Sequence, residues 1–237
     1  MRARIAAFDA WMARYPLAYA ALVVAAACLV LALFVDLPLL VQLQNDSWRS
    51  LRPVFRVVNT LGKADGYLAI AAVLYLSCLL AASRQARVGV AAWYRWVARP
   101  CLLYFAVLLS SSAAIHALKF VIARLRPRQF LIEGGYGLGQ PFAGFPWDSF
   151  PSGHAQVAFA TAGVLALLAP RWAPAVYLLA GMVGAARLVT DWHYLSDVVA
   201  SAFISLAMVR LLAPLFLDPA REWPGLSPLR WFRRRRS

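Results

Sequence analysis

The chain has 237 residues, of which 62% are apolar and 14% charged, with a mean hydropathy of +0.65. That balance, carried in long uninterrupted apolar blocks, excludes a water-soluble domain of this length. The net charge of +14 raises a nucleic-acid partner, but the placement of the basic residues argues for membrane topology and against nucleic acid.

Blocks able to cross roughly 30 Å of hydrocarbon, at about 20 residues each, lie near 16–38, 66–83, 100–118, 154–169, 174–190 and 195–216. They predict one all-α domain over residues 1–237: a polytopic membrane protein, a six-transmembrane-helix bundle with both termini on one side. Arg2, Arg4 and Arg14 lead into the first block, and Ala26-Ala27-Cys28 faintly resembles a lipoprotein cleavage site. The apolar run continues well past Cys28, so the block is expected to be a span and not a removed leader. Cys28, Cys78 and Cys101 lie in or beside spans, lack metal-ligand spacing, and are expected to be packing residues.

After the first block, Trp48, Leu51, Phe55 and Val58 recur at helical spacing, while Arg49, Arg52 and Arg56 occupy another face. The segment 47–61 suits a structural wedge between spans one and two, or an interfacial helix at the outer surface that guides anionic headgroups. Trp93, Tyr94 and Trp96 fit an aromatic belt on the cytoplasmic side. Arg2, Arg4, Arg14, Arg84, Arg87, Arg95, Arg99, Arg171, Arg221, Arg230 and Arg233 to Arg236 make fourteen basic residues on the face that carries both termini; nine fall on the other, and Arg210 lies within the last span. The positive-inside rule makes the first face, and so the N- and C-termini, cytoplasmic. The run Arg233 to Arg236 is a topology anchor attracted to anionic lipid.

Threaded this way, the third span exits outward at Lys119. A lysine alone at a span end snorkels to the headgroups, but Arg126 follows seven residues later, directly before Pro127, which helps fix a turn. Arg124 and Arg128 are expected to be solvated loop charges, and His116, one turn before Lys119, a hydrogen bonder inside the bundle. The loop from Arg128 to Phe150, rich in glycine and aromatics, is a candidate for substrate selection. No Gly-Lys-Ser/Thr follows its glycines, so it is not a nucleotide loop.

Pro151-Ser152-Gly153-His154 opens the fourth span. Free N–H groups and the positive dipole end of a helix N-terminus form an anion site, Gly153 lets an oxyanion approach the backbone, and His154 is a candidate proton donor. Arg187, His193 and Asp197 stand at the outer junction of spans five and six. There an imidazole four residues before a carboxylate on one helix face, with a guanidinium upstream, makes a phosphate-handling nucleophile. Three polar clusters are thus expected to converge on one membrane face.

Lys119 with Arg126-Pro127, then Pro151-Ser152-Gly153-His154, then Arg187 with His193 and Asp197, resemble the three-part signature of the type-2 phosphatidic acid phosphatase superfamily, by motif over about residues 115–200. The resemblance implies a membrane phosphatase in which His193 attacks phosphorus, Asp197 orients that histidine, and His154 protonates the leaving group. Lys119, Arg126, Arg187, Ser152 and the Gly153 backbone would hold the phosphoryl oxygens. The chain departs from the pattern at Ala186, where the family often has serine, which removes one hydroxyl contact.

A phosphoryl group in transfer carries dispersed negative charge, so positioned cationic donors are the main requirement. Three cations meet it, and neither a metal nor another cofactor is expected, although His154, His193 and Asp197 or Asp191 are acceptable ligand types. The expected substrate is a phosphorylated membrane lipid: phosphatidic acid, phosphatidylglycerol phosphate, undecaprenyl pyrophosphate or a lipid A phosphate. No nucleic-acid or obligatory protein partner is expected. The reaction would pass through a phosphohistidine on the outer face of a bacterial cytoplasmic membrane. A lipid phosphotransferase using the same site, or a transporter of an anion or lipid, are the alternatives.

Overall fold

The computed structural model describes residues 15–217, and among these it contains helices and no strand. In chain order the helices are α1 (Pro16–Phe34), α2 (Asp36–Gln42), α3 (Asp46–Asn59), α4 (Ala64–Ser83), α5 (Val88–Ile122), α6 (Pro127–Glu133), α7 (Gly153–Leu168), α8 (Ala173–Val189) and α9 (Leu195–Leu217), with 3-10 turns at Thr60–Gly62 and Pro170–Trp172. Arg2, Arg4, Arg14, Arg221, Arg230 and Arg233 to Arg236, on which much of the charge asymmetry rests, lie outside the described residues.

Five stretches among the described residues are helical, long and apolar enough to cross a membrane: Pro16–Phe34, Asp46–Ser83, Val88–Ile122, Pro170–Val189 and Leu195–Leu217. The protein is an integral membrane protein. The segment expected as span four is α7, a helix of 16 residues, about 24 Å long at 1.5 Å per residue. Its start is set by Pro151 and by Ser152, whose hydroxyl accepts the Ala155 N–H at 3.4 Å as an N-cap. Its end precedes Pro170, which cannot continue the ladder. Conversely, α5 is longer than its apolar block, running 35 residues and carrying Pro100 within it. Arg95 and Arg99 interrupt the hydrophobic signal there without interrupting the helix.

The bundle packs α9 against α1, α5 and α7, with α4 beside α5 and α8 beside α7. Leu103, Val107, Ala160, Val164 and Val209 form the main apolar core. Small residues permit the close approach that helices in lipid require. A Cβ on Gly184 would lie 2.7 Å from Val198 Cγ1, and one on Gly163 would lie 3.0 Å from Leu206 and Val209. Buried polar groups are satisfied across helices: Gln156 Nε2 donates to Ser111 Oγ at 2.7 Å, and Ser205 Oγ donates to the Gln156 carbonyl at 3.0 Å.

Helix α3 forms at the amphipathic segment and is capped by Asn45, whose side chain accepts the Trp48 N–H at 3.1 Å. Its main helix partner is α8, and not the first two spans as a wedge would require. Val58 packs on Ala158, Ala162, Ala180 and Val183 of α7 and α8, and Arg52 Nε donates to the Val189 carbonyl at 3.1 Å.

Candidate active site

Helix α5 ends at Ala123 in the left-handed region, with φ 46, and the chain turns back at once. The long loop after α6 then folds onto residues 120–126. Leu125 N donates to the Gly137 carbonyl at 3.1 Å, Arg126 N to Pro146 at 3.1 Å, and Ser149 N to Arg124 at 2.9 Å. This backfolding delivers Asp148 and Ser149 to the other two clusters. Between α8 and α9, Asp191 takes φ 59, a left-handed conformation uncommon outside glycine. Arg52 at 2.6 Å and Gln44 at 2.8 Å hold its carboxylate in place. Burial raises the Asp191 carboxyl above its usual range, against the Gln44 hydrogen bond and the Arg52 charge.

A cavity of ≈ 620 Å³ brings together Lys119, Arg126, Gly153, His154, Arg187 and His193. Ser152 and Asp197 lie behind its wall, both fully buried. The Ser152 hydroxyl serves the N-terminus of α7, and its N–H donates to the Asp197 carbonyl at 3.2 Å. His193 and Asp197 do not share a helix face as the sequence pattern suggested: His193 sits in the turn before α9, and Asp197 in the first turn of α9.

The two residues still meet. His193 Nδ1 donates to the Ser149 carbonyl at 2.7 Å and approaches Asp197 Oδ2 at 3.4 Å. Both partners only accept, so Nδ1 carries the proton and Nε2 is the unprotonated nitrogen. Burial pushes the His193 imidazole down to about 3, against the opposing pull of the Asp197 carboxylate. The ring is therefore neutral at ordinary pH, as a nucleophile must be.

Asp197 is held from several directions. Arg124 donates to Oδ1 at 2.7 Å, while Ser149 Oγ at 2.6 Å and Tyr194 N at 2.9 Å donate to Oδ2. Arg124 also donates to Asp36 at 2.8 Å and to Ser196 Oγ at 2.6 Å, and its guanidinium lies 4.1 Å from the Tyr194 ring centroid. Although burial opposes its charge, Asp197 and Asp36 hold the Arg124 guanidinium above its ordinary value. The expectation of a solvated loop charge is thus overturned at Arg124, which is 5% exposed.

The cations differ in how far they are committed. Arg126 makes a two-pronged contact with Asp148, at 2.7 and 2.8 Å, and its hydrogen bonds, outweighing burial, hold the Asp148 carboxyl below the usual range. Lys119 Nζ donates to the Asp148 carbonyl. Arg126 and Arg187 both lie 5.3 Å from the Trp192 ring centroid. The Arg187 Nε is buried without a hydrogen-bond partner, which leaves a donor for an incoming oxygen. His116 is exposed on the cavity wall rather than inside the bundle, its Nδ1 donating to the Ser112 carbonyl at 2.8 Å.

Sequence spacing gave no sign of Gly62. The turn carrying it lies directly on His154, so that a Cβ there would sit 2.8 Å from His154 Cβ and 2.9 Å from Cδ2. Asp148, Ser149 and Asp36 were also missed as site residues. Asp36 lies far away in sequence, whereas Asp148 and Ser149 come just before Pro151-Ser152-Gly153-His154; the one available signal for Asp36 and Asp148 was a carboxylate in an otherwise charge-poor chain.

Fold and cavity together define an integral membrane protein with a cation-lined site suited to an anionic group. The family model described as the PAP2 superfamily matches residues 100–220, and the chain belongs to that superfamily. It is 38% identical over 99 residues to a lipid A 1-phosphatase of Rhizobium johnstonii, covering 41% of this chain and 40% of that one. A lipid A 1-phosphatase of Rhizobium etli is 36% identical over 97 residues, covering 40% and 41%. The chain thus spans about two fifths of the length of these relatives. The crystal structure of Aquifex aeolicus LpxE superposes with a TM-score of 0.52 at 19% identity, over 74% of this chain and 93% of that one. It shares the fold.

Proposed function

We propose that this protein is a membrane lipid phosphatase that works through a phosphohistidine. The observation that carries this reading is the fixed tautomer of His193: two acceptors at Nδ1 leave Nε2 as a neutral nucleophile beside Lys119, Arg126 and Arg187. Nε2 attacks phosphorus while the bond to the leaving oxygen breaks, and His154 gives that oxygen a proton. Asp197 stabilises the imidazolium that develops, as a carboxylate does in a serine triad. Water then attacks the phosphohistidine, His154 takes its proton, and the P–N bond breaks to release inorganic phosphate. Lys119, Arg126, Arg187 and the Gly153 N–H stabilise the equatorial oxygens, without a metal. Ser152 contributes by fixing the start of α7.

The topology that goes with this reading has six spans, with α7 as the short fourth, cytoplasmic termini, and the cavity facing the exterior or periplasm of a bacterial inner membrane. The names of the curated relatives put a lipid A phosphate first among candidate substrates; phosphatidic acid, phosphatidylglycerol phosphate and undecaprenyl pyrophosphate complete the panel. The test is phosphate release from these four lipids by detergent-purified protein in excess chelator. Wild type should release phosphate from at least one, and His193→Ala should lower the rate by at least ~10³-fold. Unchanged release by the variant would sink the mechanism, and transfer of label to a second lipid would favour a phosphotransferase.

A further inference from the structure

Resting on that phosphatase reading, we propose that Arg56 and Lys63, with Asn59, form a leaving-group subsite for a second phosphoryl group, which favours a diphosphate over a monophosphate carried on the same lipid. The same cavity is also lined by Arg56, Asn59, Thr60 and Lys63, from the end of α3 and the turn that follows it. In phosphoryl transfer the attacking and leaving atoms lie roughly in line through phosphorus. With His193 attacking, the leaving oxygen departs on the side of the proton donor, His154. The turn Thr60–Gly62 touches His154 closely enough that no Cβ fits at Gly62. Lys63 follows that turn directly, and Asn59 and Arg56 precede it by one residue and one helical turn. Arg56, Asn59 and Lys63 therefore flank the departing group.

Its charges are uncommitted, unlike others nearby. Arg52 is engaged by Asp191 and Gln44, Arg124 by two carboxylates, and Arg126 by Asp148. The exposed Arg56 and Lys63 make no side-chain hydrogen bond or ion pair with the described residues. Between them Asn59 Nδ2 donates to Thr190 Oγ1 at 3.1 Å, while Asn59 Oδ1 is buried with no partner. A neutral alcohol leaving group has no charge for two such cations to stabilise. When the leaving group is a lipid monophosphate, the bridging P–O bond breaks, its electron pair stays on the bridging oxygen, and that oxygen receives the His154 proton. The remaining phosphate charge then falls to Arg56 and Lys63, and Asn59 Oδ1 accepts from a protonated phosphate oxygen. The terminal phosphoryl leaves later as inorganic phosphate.

The test uses the full chain in detergent with a matched pair of substrates, a polyprenyl diphosphate and the monophosphate of the same chain length. Wild type should have a higher kcat/KM for the diphosphate. The double variant R56Q/K63Q should lose at least tenfold on the diphosphate and less than twofold on the monophosphate, while R56K/K63R should recover most of the loss. Equal losses on both substrates, no loss on either, or a wild-type preference for the monophosphate would overturn the subsite. Thermal unfolding of each variant separates misfolding from loss of charge. His193→Ala should abolish release from both substrates. If His193→Ala retained release, the phosphatase mechanism itself would fall; a dead His193→Ala alongside an unselective double variant would overturn the subsite alone.

Discussion

His193 carries its proton on Nδ1 because the Ser149 carbonyl and the Asp197 carboxylate can only accept, and burial keeps the ring neutral. The same burial links the residue to stability. An unfolded histidine titrates near 6.5, whereas folding pushes this one down to about 3. Between those values the unfolded chain binds a proton that the folded protein refuses, so this group lowers stability as pH falls from about 6.5 toward 3 and has no effect above that window. The melting temperature of wild type in detergent should therefore fall more steeply from pH 7 to pH 4 than that of His193→Gln. Parallel curves would show that His193 does not titrate in this way. Lys119, Arg126, His154, Arg187 and His193 could all be picked out from the sequence because motif spacing fixes them locally, and the fold places all five around one cavity. Ser149, which makes the shorter contact to the imidazole, could not be found that way. It stands two residues before Pro151, but its approach to His193 depends on the loop after α6 folding back onto residues 120–126.

Arg124 joins three elements: the α1–α2 junction through Asp36, the start of α9 through Ser196 and Asp197, and the long loop through Tyr136. Ser196 N also donates to Asp36 Oδ1 at 3.1 Å, across 160 residues of sequence. Removing the cation would leave two buried carboxylates without their partner. Arg124→Met should therefore cost about 3–5 kcal/mol of stability, and Arg128→Met, at an exposed position, no more than ~0.5 kcal/mol. Denaturant unfolding in detergent would measure both, and similar values would contradict the network's importance. At this scale five of the six apolar blocks lie in helices long enough to span a membrane and the sixth forms the shorter α7, since hydrophobic length is a local property. The pairing of Asp36 with Arg124 was not foretold, because charge complementarity over such separations follows only from the assembled bundle. Helix α3 lies between these cases: its periodicity was visible, but its choice of α8 as neighbour was not.

For the whole molecule, the proposed orientation puts the loop after α6 outside and the α4–α5 connection inside. With Cys28, Cys78 and Cys101 replaced by serine, a membrane-impermeant maleimide should label Gln140→Cys in cells whose outer barrier is opened but whose inner membrane is intact. Gln85→Cys should react only after the inner membrane is permeabilised. The reverse pattern would turn the topology over. Both positions are exposed in the fold, so reactivity reports sidedness. The proposed orientation rests on the charge asymmetry, because basic residues resist translocation wherever the helices pack.

Helix α7, at about 24 Å, falls roughly 6 Å short of a hydrocarbon layer of about 30 Å, and it is the helix whose N-terminus carries Gly153 and His154. On the proposed topology the reacting phosphorus is met near the level of the headgroups, not above them. A lipid could then reach His193 by sliding sideways, with its tails still among those of its neighbours. Turnover would follow the mole fraction of substrate within the leaflet, and diluting it with inert lipid would slow the enzyme at constant bulk concentration.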